Sequence, residues 1–90
     1  MTVANHKSAL KRIRQSERRR KRNQHIRSGL RTEIKRFREV LESGDAEQAG
    51  QQFNRAERAI RRAVSKGVIP RRRADRSVSR LARSLNAIGS

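Results

Sequence analysis

Ninety residues carry 25 Lys and Arg against eight Asp and Glu, a formal charge of +17, with no Cys, Trp or Tyr and a single Pro. Such a charge on so short a chain points to a polyanionic partner, and 20 of the cations are Arg, whose planar fork meets phosphate oxygens in pairs, so phosphate is favoured over a generic acidic surface. The missing Cys excludes zinc-finger and disulfide-stapled folds, and no apolar run reaches the roughly 20 residues of a membrane span or the 7 to 15 of a signal-peptide core. A soluble, unsecreted, cytoplasmic protein with no membrane partner is expected. Of its 29 apolar residues ten are Ala, which leaves enough larger side chains for one small core.

The chain opens on a basic arm. Residues 1–25 hold nine cations and one acid, Glu17, and Arg18, Arg19, Arg20, Lys21 and Arg22 are consecutive. Nothing from Ser8 to Ser43 breaks a helix except Gly29, at a tolerable cost of about 1 kcal/mol relative to Ala. A helix over about 8–43 would be roughly 50 Å long and would overhang any bundle it joins. No apolar residue lies between Ile13 and Ile26, so the overhang can meet only solvent or a polar partner. Successive helical residues turn by about 100°, so the five cations encircle the axis; that suits a crevice among folded RNA segments better than one groove of duplex DNA. Mutual repulsion should keep the overhang frayed until phosphate neutralises it, so folding coupled to RNA binding is expected.

From Ile26 an apolar stripe appears: Ile26, Leu30, Ile34, Phe37 and Leu41 share one helical face. Ser43-Gly44 ends this helix, and Asp45 with Gln48 three residues on resembles a capping box opening a second, over about 46–66. Its stripe is Ala49, Phe53, Ala56, Ile60, Ala63 and Val64, and Gly67 occupies a left-handed C-terminal position. Pro70 suits the first turn of a third helix, about 70–88, striped by Ala74, Val78, Leu81, Leu85 and Ile88. These elements predict an all-α, up-down-up three-helix bundle over 26–90 behind a basic arm over 1–25, with Phe37 and Phe53 its bulkiest core residues. Arg71, Arg72, Arg73, Arg76, Arg80 and Arg83 lie mostly off the third stripe with Asp75 as the sole nearby acid, a second basic surface.

Chemistry-bearing constellations are absent. His6 and His25 have no Cys or carboxylate cluster to complete a metal site, no Gly-rich phosphate loop follows a strand, and the Ser residues lack a nucleophile-elbow context. Neither enzyme nor cofactor is expected. Two other readings use the same charge: a nucleoid-type DNA-packaging protein, and a cationic membrane-surface helix, against which residues 14–25 offer no apolar face.

The N-terminal run Ala4-Asn5-His6-Lys7-Ser8-Ala9-Leu10-Lys11-Arg12-Ile13-Arg14-Gln15-Ser16-Glu17 resembles the opening of the bacterial small-subunit ribosomal protein S-twenty family. The likeness continues through the cation run to Asn23, Arg27-Ser28, Arg31-Thr32 with Lys35, Gly44-Asp45, Gly67-Val68-Ile69 and Ser79-Arg80-Leu81. It implies a three-helix bundle with a long first helix that binds 16S rRNA directly in the small ribosomal subunit, beside neighbouring ribosomal proteins and not as a homo-oligomer. It also implies RNA contact at Asn5, Lys7, Ser8, Lys11, Arg12, Arg14, Gln15, Ser16, the cations to Asn23, and Arg27, Arg31, Lys35 and Arg80. After Ile69 the chain reads Pro70-Arg71-Arg72 where the family usually carries His-Lys-Asn, so the amide of an Asn is replaced there by guanidinium groups able to hold phosphate.

Overall fold

In a computed structural model, the backbone of residues 2–89 and the side chains of residues 6–88 are described. Three helices follow one another: α1 (Thr2–Ser43), α2 (Ala46–Ser65) and α3 (Arg71–Gly89), all-α as the stripes predict. Helix α1 starts ahead of Ser8, at Thr2, and no proline in that stretch stops it from extending toward the N-terminus. At about 1.5 Å per residue its 42 residues make a rod of about 63 Å, twice the length of α2. The Cα trace measures 68 × 21 × 13 Å, and its radius of gyration of 18.6 Å far exceeds the about 12 Å of a compact chain this size.

The chain reverses twice, by different devices. After α1, Gly44 takes φ +76° while its N–H bonds Leu41 O at 3.0 Å, and Ser43 Oγ donates to Val40 O at 2.6 Å. Asp45 then caps α2, its Oδ1 accepting the Gln48 N–H at 3.1 Å, but only that half of the expected capping box forms. The Asp45 N–H instead faces Ser43 Oγ at 3.5 Å. At the far end of α2, Gly67 has φ +72°, its N–H bonds Val64 O, and the Val68 N–H bonds Ala63 O, both at 2.9 Å. That pair of bonds is a Schellman closure, and Val68 supplies its usual apolar contact by lying buried. Pro70 sits one position earlier than its sequence suggests. It precedes α3 and its carbonyl accepts the Ala74 N–H at 3.1 Å, so the ring stands at the cap, where the proline's lack of an N–H costs nothing.

Helix α2 is the middle element, packing against both neighbours, while α1 and α3 barely touch. The core holds Phe37 of α1, Ala49, Ala56 and Ile60 of α2, and Ala74 and Leu81 of α3, and Leu30, Ile34, Leu41, Val78, Leu85 and Ile88 pack around it half-buried. Phe53 is half-buried rather than enclosed, its ring 6.0 Å from that of Phe37 and tilted by 57°. Small residues on α2 leave the core thin, and among the described residues only Phe37 and Ile60 are large and fully enclosed.

Candidate nucleic-acid interface

Every described residue from His6 to Arg22 is exposed, including the apolar Leu10 (43%) and Ile13 (55%), so the first half of α1 projects as a bare rod. Its root is tied to the bundle: Arg22 Nη2 donates to Lys66 O, the C-cap of α2, at 3.4 Å. All 25 cations are exposed, and among the described residues only Arg36, with Glu33, and Arg61, with Glu57, have a carboxylate partner, both at 3.5 Å. Lys7, Ser8, Lys11, Arg12, Arg14, Gln15, Ser16, Arg18, Arg19, Arg20 and Lys21 thus all stand on the projecting rod, free of protein contacts that would hide them. The Asn5 side chain lies outside the described residues.

The rotation of about 100° per residue sorts these groups into rows. One row holds Arg12, Ser16, Arg20, Asn23, Arg27 and Arg31, at helical spacings of four, four, three, four and four. Ser16, Arg19, Arg20, Asn23 and Arg27 surround one shallow depression on it. The row runs on into a groove of about 370 Å³ between α1 and α3, where Arg27 and Arg31 face Arg73 across a floor of Leu30, Ile34, Ile60, Val68 and Ile69. A second row, about 120° around the axis, holds Lys11, Gln15, Arg18 and Arg22. Glu17, the lone acid of the rod, belongs to neither. Lys35 lies beyond the groove and does not line it.

The arginines of α3 divide. Arg72, Arg73, Arg76, Arg80 and Arg83 share an arc of about 100° opposite the buried Ala74 and Leu81, whereas Arg71 falls on the other flank. There it lines a groove between α2 and α3 with Arg61, Asp75 and Ser79. Arg73, not Arg71, therefore completes the site on α1. No acid stands in the first turn of α3, so three guanidinium groups surround the positive end of its dipole, a position that favours anions.

A family model described as ribosomal protein S20 matches residues 4–86, which covers the rod, both turns and nearly all of α3. The chain belongs to the ribosomal protein S20 family. It is 52% identical to the small ribosomal subunit protein bS20 of Geobacter sulfurreducens over 97% of this chain and all of that protein. A bS20 from Geotalea uraniireducens is 51% identical over the same shares, and one from Mycolicibacterium gilvum is 48% identical over 96% of this chain and all of its own length. The S20 family is a structural one, without enzymatic activity.

Sequence reading of this S20 chain overlooked α2 as a basic element. Arg55, Arg58 and Arg62 are exposed and line the groove between α1 and α2. Their spacing of three and four was the available signal, hidden because the apolar stripe of the same helix draws attention first. The tie from Arg22 to Lys66 had no signal at all, since 44 residues separate the partners.

Proposed function

We propose that the protein binds 16S rRNA directly in the small ribosomal subunit, in the cytoplasm, and stabilises the folded RNA there. The projecting rod enters between RNA segments, and the bundle docks behind it. The observation that carries this reading is the row from Arg12 to Arg31, about 29 Å of unpaired cations and polar groups running into the groove closed by Arg73. Membership of the S20 family, whose relatives bear the name small ribosomal subunit protein, supports it. The proposed contacts are Asn5, Lys7, Ser8, Lys11, Arg12, Arg14, Gln15, Ser16, the cations from Arg18 to Arg22 with Asn23, Arg27, Arg31, Lys35, Arg73 and the outward face of α3. Neutralising phosphates that repel one another lets RNA helices approach, and no step of this needs bond chemistry.

Binding to 16S rRNA, duplex DNA and an unrelated structured RNA, each titrated across salt, tests the proposal. With about −0.7 per neutralised phosphate, some ten contacts give a log–log slope of about −7, and Arg19→Ala makes it shallower by about one contact. Preference for 16S rRNA that persists as salt rises supports a folded RNA site. Equal collapse on all three polyanions overturns it in favour of charge-driven DNA packaging.

A further inference from the structure

We propose that the groove between α1 and α2 is a second site for nucleic-acid backbone, formed by Arg55, Arg58 and Arg62 and distinct from the row that ends beside Arg73. It rests on the reading of the protein as an rRNA binder and extends it to a helix that the sequence assigned to the core alone. The groove has a volume of about 330 Å³. Its floor is Ile26, Gly29, Leu30 and Ala59, a shallow apolar strip on which sugar faces can lie, and a methyl group built at Gly29 meets nothing within 4 Å.

The charge of α2 is distributed to suit such a ligand. Arg61, on the other side of the helix, is paired with Glu57 at 3.5 Å. Arg55, Arg58 and Arg62 have neither ion pair nor side-chain hydrogen bond among the described residues, although all three are exposed along one wall. They span about 10 Å of helix axis, and their long side chains fan out from it, so that each guanidinium can reach a different phosphate of one strand. The one carboxylate lining the groove, Glu33, is already engaged by Gln52 Nε2 at 2.6 Å and by Arg36 at 3.5 Å. His25 also lines it, and the row Lys11, Gln15, Arg18 and Arg22 leads toward it along the rod, so a strand following that row arrives at the three arginines. Unpaired guanidinium groups in a row, over an apolar floor and continuous with a basic track, fit a phosphodiester chain better than an acidic protein segment, whose carboxylates have no such regular spacing.

The test uses the full chain carrying Arg55→Gln, Arg58→Gln and Arg62→Gln together. Gln has nearly the helix propensity of Arg, and circular dichroism checks that α2 persists. Removing three phosphate contacts should make the salt slope on 16S rRNA shallower by about 2 at about 0.7 per contact, while Arg61→Gln leaves it unchanged. The chain has no Cys, so Ala59→Cys offers a unique tether for a hydroxyl-radical source, which should cut rRNA at sites different from those cut by a source tethered through Ser16→Cys. An unchanged slope in the triple variant overturns the assignment and leaves the groove to an acidic protein partner. If the wild-type protein shows no preference for 16S rRNA over duplex DNA, the ribosomal reading fails, and the triple variant's slope on either polyanion still decides the groove.

Discussion

Gln52 is the one polar side chain buried among the described residues, 7% exposed, and its amide solves a problem of charge. Its Nε2 donates both to Glu33 Oε2 at 2.6 Å and to Glu33 O at 3.1 Å, joining α2 to α1 where an apolar residue would leave that carboxylate with Arg36 alone. Gln52→Glu should therefore destabilise the bundle by about 2 kcal/mol, because a second carboxylate would replace the donor at that spot; urea denaturation measures the loss. Gly29 is the opposite case. Neither a positive φ nor a close neighbour requires glycine there, so Gly29→Ala should stabilise the free protein by about 0.5 to 1 kcal/mol and raise its melting temperature. Gly67 at φ +72° lacks that freedom, and Gly67→Ala should destabilise in the same assay by about 1 kcal/mol or more.

At the level of elements, the three helices owe their order to different causes. Helices α2 and α3 each bury an apolar stripe, whereas residues 6–22 of α1 are all exposed, and their helical form rests on local propensity against mutual repulsion. Helix content should accordingly fall short of the full length of α1 in low-salt buffer and rise when 16S rRNA is added, read at 222 nm after subtracting the RNA spectrum. An unchanged signal would mean that the rod is already formed and that binding orders nothing. The split of the α3 arginines belongs to this level too. Two positions apart in the chain, Arg71 and Arg73 differ by about 160° around the axis, so one lines the α2 side and the other the α1 side.

Seen whole, the molecule keeps its core apart from its basic rod. Among the described residues, all those buried lie at or beyond Phe37, and the first half-buried apolar residue of α1 is Ile26. Deleting residues 1–21 should leave the thermal transition of the bundle nearly unmoved while removing eight cations, with rRNA affinity falling by orders of magnitude at moderate salt. Phe37→Ala should do the reverse. The loss of about 3 to 5 kcal/mol matches what a core this thin can supply, so the bundle should unfold although every cation remains.

Helix count, the two turns, the apolar stripes and the overhang followed from the sequence, because each is set by spacing within about one turn: Ile26 to Leu41 at threes and fours, Asp45 as a cap, Gly44 and Gly67 as left-handed punctuation; the start of α1 at Thr2 and of α3 at Arg71 did not. The family was legible as well, since its opening motif is a contiguous run. Tertiary structure alone decided that α2 is central, that Phe53 is only partly covered, that Gln52 is buried against Glu33, and that Arg73 rather than Arg71 joins Arg27 and Arg31. Periodicity reports which face of a helix is apolar. It says nothing of which neighbour covers that face, and grooves exist only between neighbours.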